Sequence, residues 1–127
     1  MILITINALP HSQDVKIHKV LEVLCHEVAN QIGKLPSDVK ATFQLLAAGG
    51  YSDGGQSVTE QTDHSHPPIV TISAIEGLSD MEKENTMRTV AALLERGFGL
   101  GKGNVYINFN DLKTGSIYSN AVIHYHY

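Results

Sequence analysis

The N-terminal stretch Met1-Ile-Leu-Ile-Thr-Ile-Asn-Ala-Leu9 decides the predicted fold. It is apolar and rich in β-branched side chains, and the run is nearly continuous, as in a strand that is covered on both faces. A strand that starts at residue 1 within a sheet would hold the terminal amine at a defined place. Because an α-amine has an ordinary pKa of roughly 7.7 to 8.0, position 1 is also a candidate for acid–base chemistry.

The next segments complete a strand–helix–strand unit over residues 1–46. Apolar residues recur at helical spacing after Ser12, which predicts a helix that Ser12 caps and Gly33 ends. Apolar and polar residues then alternate over residues 38–46, a pattern typical of a strand. The length of the intervening helix allows the two strands to be parallel with a right-handed crossover.

The same order of elements repeats over residues 68–111. The strand Pro68-Ile-Val-Thr-Ile-Ser73 echoes the N-terminal strand, Ser79 opens a capping-box sequence for a second helix, and residues 104–110 predict a fourth strand. The two halves predict an α/β (α+β) fold in a single domain of residues 1–127. Its four-stranded sheet would carry both helices on one face, so a second copy of the chain is the expected cover for the other face.

Two segments fall outside this repeat. The Gly-rich loop of residues 47–67 joins the halves and is expected to form a short hairpin or to be mobile. The tail of residues 117–127 alternates in character and predicts a further short strand, which could add to the sheet of a neighbouring subunit.

Composition excludes several classes of protein. The net charge of −4 gives no electrostatic basis for binding nucleic acid or an anionic membrane surface. No stretch reaches the ~20 apolar residues of a membrane span, and the N-terminus lacks the basic region of a signal peptide. Cys25 is the single cysteine, which indicates a reducing compartment, so we expect a cytoplasmic protein.

The histidines raise the question of a metal site. Two His-x-His pairs could together supply four imidazoles to zinc or copper, but the alternative of exposed loop and tail histidines is favoured, and we predict neither a metal nor a cofactor. The pairs are His64 with His66 and His124 with His126.

Two further motifs are interpreted as structural. The glycine-rich run of residues 97–103 leads from a helix into a strand, whereas phosphate loops lead from a strand into a helix. The serines of the middle loop, Ser52, Ser57 and Ser65, have no partner base that the sequence reveals.

Six short segments carry a more specific signal, the strongest being Val105-Tyr-Ile-Asn-Phe-Asn-Asp111. The others are Asn7-Ala-Leu-Pro10, Gly33-Lys-Leu-Pro36, Gly49-Gly50, Ser73-Ala-Ile75 and Leu93-Leu-Glu-Arg96. In this order they resemble the tautomerase superfamily, in the branch of macrophage migration inhibitory factor and D-dopachrome tautomerase. The resemblance spans nearly the whole chain apart from the middle loop and the last residues.

The resemblance implies a homotrimer whose three sheets line a central barrel, with active sites at the subunit boundaries. It also implies keto–enol isomerisation of small enolisable carboxylates such as aryl pyruvates. In that family the general base is an N-terminal proline. Met1 occupies the position here, and the bulky Ile2 favours retention of the methionine, so the Met1 amine becomes the candidate base.

Matching positions imply the remaining site residues. Lys34 would hold a substrate carboxylate, and the backbone N–H of Ile75 would meet the developing enolate oxygen. Tyr106 and Asn108 would come from the neighbouring subunit. The alternatives are a non-catalytic binding or interaction protein that keeps the tautomerase fold and a metal-binding protein.

Overall fold

The computed structural model describes residues 1–125, in which eight strands, two α-helices and one short 3-10 helix (Pro36–Asp38) are formed. The long strands are β1 (Ile2–Ala8), β2 (Val39–Leu45), β5 (Ile69–Ile75) and β6 (Tyr106–Leu112). The helices are α1 (Ile17–Ile32) and α2 (Asp80–Phe98). The short strands are β3 (Ser52–Asp53), β4 (Gln56–Ser57), β7 (Ile117–Ser119) and β8 (Val122–His124).

The four long strands form one mixed sheet in the order β2-β1-β5-β6. β1 runs parallel to β2, β5 runs parallel to β6, and the two pairs meet antiparallel at β1 and β5. Each parallel pair is joined by a helix, as a crossover requires. This architecture confirms the predicted pair of βαβ units.

The core lies between the sheet and the two helices. On β1 and β5 the inward side chains are fully buried because alternate residues of a strand point to one face. They pack against the inner faces of α1 and α2. The main members are Ile2, Ile4, Ile6, Val70 and Ile72 from the strands and Leu24, Val28, Val90 and Leu94 from the helices.

The opposite face of the sheet is mostly polar, and the expectation of strands that are apolar on both faces was wrong. On β1 the outward residues are Leu3, which is 40% exposed, Thr5 and Asn7. The neighbouring strand contributes Thr71 and Ser73 to the same face. The sequence misled because threonine is β-branched and so strengthens a strand signal while carrying a hydroxyl group.

The two helices begin in different ways. Ser79 caps α2 as predicted: its Oγ accepts from the Glu82 N–H at 3.1 Å, and its own N–H donates to the Glu82 carboxylate at 2.9 Å. Ser12 does not cap α1, which begins at Ile17 after Lys16 without a side-chain cap. The apolar pattern therefore coincides with the helix, and only its predicted start at Ser12 was wrong.

The short strands form two hairpins. β3 pairs with β4 in the middle loop, which agrees with the hairpin predicted there. The tail pairs β7 with β8 through a two-residue turn at Asn120 and Ala121, whose φ angles of 53° and 65° suit such a turn. The single predicted strand was wrong for residues 117–125, and His126 and Tyr127 lie outside the described residues. Across residues 1–125, none of the helices has the length and apolar character that crossing a membrane requires.

Candidate functional site

The Met1 amine lies at the start of β1, between two neighbouring strands. Ile2 pairs with Val39 on β2 and with Ala74 on β5. One residue further along each register, Asp38 and Ile75 therefore flank Met1. The two neighbouring strands thus fix the position of the terminal amine at the end of the sheet.

Burial alters the acid–base behaviour of this amine. It lowers the pKa of the Met1 amine from its ordinary value of 8.0, because a buried ammonium loses hydration. The carboxylate of Asp38 opposes this shift and the ammonium of Lys34 adds to it. A larger fraction of the amine is therefore neutral near pH 7 than in a free peptide, and only the neutral form can accept a proton.

The turn after α1 positions both charged neighbours. Gly33 takes a left-handed conformation with φ 69°, and the Lys34 N–H donates to the carbonyl of Ala29 at 2.9 Å. Four residues later the Asp38 carboxylate accepts from the Leu35 N–H at 3.0 Å, immediately before β2. These local hydrogen bonds keep the half-buried Lys34 and Asp38 at the end of the sheet where Met1 lies.

The backbone of Ile75 is directed toward the same place. Along β5 successive N–H groups point to alternate neighbouring strands. The next residue, Glu76, donates its N–H to the carbonyl of Leu112, the last residue of β6, at 2.8 Å. The Ile75 N–H consequently points toward β1 and Met1, and its side chain is fully buried.

Tyr106 and Asn108 lie away from Met1 within one chain. Tyr106 pairs with Ile69, at the opposite end of β5 from Ile75, and is 55% exposed. Six residues of strand separate these two pairs, or ~20 Å. Asn108 is two residues closer and lies on the same outward face as Tyr106. One chain therefore brings Met1, Lys34 and Ile75 together but not the other two residues.

A cleft of about 200 Å³ opens on the outer sheet face beside Met1. Leu3, Lys40 and Ser73 form its floor, because these three residues occupy paired positions on adjacent strands. Strand β7 forms a wall through Ile117 and Tyr118. Sequence reasoning missed Lys40 as a site residue, although the alternation of β2 already placed it on the outward face.

The histidines do not form a metal centre within residues 1–125, where no group of three or more His, Cys, Asp or Glu side chains converges. His64 is exposed and pairs with Asp63 at 2.7 Å. His66 is 2% exposed, so the expectation of an exposed loop histidine was wrong for it. His124 bonds the Ser119 carbonyl at 3.0 Å, and its predicted partner His126 lies outside the described residues.

The buried His66 also gives Ser65 a partner that the sequence did not reveal. The Ser65 hydroxyl lies 3.0 Å from Nδ1 of His66, while His66 Nε2 contacts the Gln56 carbonyl at 2.8 Å. The same hydroxyl lies 2.7 Å from that of Thr62. The pair therefore belongs to a hydrogen-bond network that holds residues 62–66 against the β3–β4 hairpin within the middle loop.

No protein-family model matches the sequence, and no curated protein matches it. Solved structures match its fold. Pt0534, inactivated by 2-oxo-3-pentynoate, is 18% identical with a TM-score of 0.83, over 96% of this chain and 94% of that one. A symmetric trimer of wild-type fused 4-OT is 17% identical with a TM-score of 0.80, and the match covers 95% of this chain and 94% of that one. A macrophage migration inhibitory factor-like protein from Entamoeba histolytica is 21% identical with a TM-score of 0.69, over 96% of each chain.

At 17 to 21% identity these similarities establish the fold alone. The chain has the tautomerase fold shared by 4-OT and macrophage migration inhibitory factor-like proteins, as the sequence resemblance implied. The similarity extends over nearly the full length of the chain, and so includes both βαβ units.

Proposed function

We propose that this chain is a tautomerase-like enzyme that interconverts keto and enol forms of small enolisable carboxylates such as aryl pyruvates. The Met1 amine is its base. The observation that carries the proposal is the position of this partly buried amine at the end of the sheet, between Asp38 and Ile75 and near Lys34, where burial lowers its pKa. A base whose pKa lies near the working pH is largely in its neutral form and still binds the transferred proton well enough to drive the transfer.

The reaction needs one proton acceptor and a place for negative charge. The neutral Met1 amine takes a proton from the carbon next to the ketone. The electron pair of that C–H bond forms a carbon–carbon double bond while the π pair of the carbonyl moves to the ketone oxygen. The Ile75 N–H stabilises the enolate oxygen, and Lys34 holds the substrate carboxylate. Return of the proton to that oxygen gives the enol, and the reverse sequence gives the ketone.

The proposed active assembly is a homotrimer, in which Tyr106 and Asn108 of one subunit complete the pocket of the next. Two features support this arrangement: the ~20 Å separation along the strand within one chain and the polar outer sheet face, which suits a barrel interior. Fused 4-OT of the same fold forms a symmetric trimer. A cytoplasmic location, from the single cysteine, stays a prediction.

The second candidate function is a non-catalytic binding or interaction protein that keeps this fold. Its support is the primary amine of Met1 at the position where the resembling family carries a proline, together with strand β7, which walls the cleft beside Met1. A narrow cleft would admit small ligands without giving a substrate access to the amine.

Replacing Lys34 separates these two functions. For Lys34→Met we expect about a tenfold or larger fall in kcat/KM for phenylpyruvate ketonisation, because a charged hydrogen bond to the carboxylate is lost. Lys102→Met, which changes an exposed lysine after α2, is the matched control. Equal loss in both variants would contradict the role assigned to Lys34, whereas no activity in the parent trimer of verified N-terminal mass would favour the binding protein.

A further inference from the structure

A second concave surface lies between the two helices. The inner faces of α1 and α2 pack on the sheet, so this groove opens to solvent on the outside of the molecule. We call the space of about 260 Å³ the helix groove, and its lining residues are Lys19, Val20, Val23, Leu93, Arg96 and Gly97. It shares no residue with the cleft beside Met1, so it is independent of the proposed tautomerase function.

Close packing of the two helices forms the floor of the helix groove. A methyl group at Gly97 would lie 2.9 Å from Cγ2 and 3.6 Å from Cβ of Val20, so the glycine allows the two helices to lie this close. At the other end of α1 the hydroxyl of Thr89 donates to the side chain of Gln31. The helices therefore run antiparallel and are held together at two places, which gives the groove a preformed shape.

The middle of the helix groove is apolar. Val23 is 48% exposed, although it lies on a helix with a well-packed inner face. Val20 and Leu93 line the same space and are only half-buried. An alkyl chain laid along these three side chains would remove apolar surface from water on both partners, which is favourable.

The rim of the helix groove is positively charged, in a chain whose net charge is −4. Lys19 and Arg96 lie on it, and none of its six lining residues is acidic. Among residues 1–125, neither of the two cationic side chains forms a hydrogen bond or an ion pair. The acidic neighbour Glu95 is directed elsewhere, since its carboxylate accepts from the Gly103 N–H at 3.2 Å.

The two cations can act on one anion. Lys19 and Arg96 are the chain neighbours of Val20 and Gly97, which are in contact, so the Cα atoms of the two cationic residues lie at most ~14 Å apart. Both side chains are long and exposed. A carboxylate between them can therefore contact both.

We propose that the helix groove binds a medium-chain fatty carboxylate, whose alkyl chain lies on Val23 and Leu93 while the carboxylate pairs with Arg96 and Lys19. Charge complementarity favours an anion, and the apolar floor favours one with a hydrocarbon chain. The volume suits a chain of about eight carbons, since a methylene group takes roughly the space of a water molecule, ~30 Å³. A protein partner does not fit so small a surface, because stable interfaces bury more than ~1,000 Å².

Titration with sodium octanoate below its micelle concentration, followed by 15N-edited NMR of the full chain, tests the proposal. We expect saturable shifts of the Val23 and Gly97 backbone amides. Octylammonium, with the same chain and the opposite charge, should bind at least about tenfold more weakly. Absent shifts at both amides, or equal affinity for the two probes, would overturn the proposal. Shifts confined to Leu3 and Ser73 would place octanoate in the cleft beside Met1 and would also overturn it.

The variant Arg96→Gln keeps a long side chain but removes the charge, and we expect it to bind octanoate about threefold more weakly. Lys102→Gln, which changes an exposed lysine outside the helix groove, should bind as the parent does. Equal affinity of these two variants would overturn the assigned ion pair. Val23→Glu places a negative charge on the apolar floor without changing the core, and we expect it to abolish binding. Unchanged affinity in that variant would overturn the assigned place of the alkyl chain.

Discussion

His66 shows how one residue can hold a long loop in place. Its backbone N–H donates to Asp53 at 2.9 Å, and its ring contacts the Gln56 carbonyl and the Ser65 hydroxyl. His66→Asn should lower the free energy of unfolding by about 2 kcal/mol, because two hydrogen bonds of its buried ring, to the Gln56 carbonyl and the Ser65 hydroxyl, are lost. Asparagine tolerates the φ of 50° at this position, so the loss reports on the side chain. Urea denaturation measures it.

His64→Asn is the matched control, two residues away on the exposed surface of the same loop. We expect it to change the free energy of unfolding by less than about 0.5 kcal/mol, as surface substitutions usually do. Equal effects of the two substitutions would contradict the structural role assigned to His66. The His-x-His spacing could not reveal this difference, because burial of His66 depends on the hairpin ten residues earlier in the chain.

At the scale of elements, the start of α2 depends on a single side chain. Ser79→Ala removes the Oγ that accepts from the Glu82 N–H, and the expected loss is about 1 kcal/mol of unfolding free energy. Ser12→Ala provides the comparison, since Ser12 lies outside α1 and caps no helix. Thermal or urea denaturation of both variants measures the effect. A comparable loss in Ser12→Ala would contradict the observed start of α1 at Ile17.

The elements that the sequence predicted well are those with a strong period. Val39, Ala41 and Phe43 alternate with polar residues, so β2 followed from the pattern. The tail was misread because its alternation continues through Asn120 and Ala121, where the positive φ values make the turn. Neither residue is glycine, the usual signal of such a turn.

For the whole molecule, the arrangement of the candidate site predicts that subunits share it. Protein acetylated at the Met1 amine and the variant Tyr106→Ala should each be nearly inactive as pure trimers. After joint denaturation and refolding, mixed trimers should recover part of the activity, because an intact amine of one subunit meets an intact tyrosine of the next. Phenylpyruvate ketonisation at equal total protein measures the recovery.

Absence of recovery in mixtures of verified trimeric mass would contradict sharing of the pocket between subunits. The resemblance implied a shared site for Met1, Lys34 and Ile75, and the fold brings these three residues to one end of the sheet. The sequence could not place Tyr106 relative to these residues, because the distance from Tyr106 to Met1 depends on the register of β5 against β6 and on subunit packing. The contact between the rings of His11 and Phe98 was also beyond sequence reasoning, since it exists only through tertiary structure.

The most direct test of the account is the pH dependence of phenylpyruvate ketonisation, on trimer whose N-terminal mass is verified, beside the same protein acetylated at Met1. The neutral amine is the active form and exists above its pKa, which burial lowers. We therefore predict activity that rises with pH through one ionisation centred below 8.0, and that acetylation abolishes. Activity that survives acetylation, or an intact trimer no faster than buffer at any pH, would contradict the Met1 amine as the base.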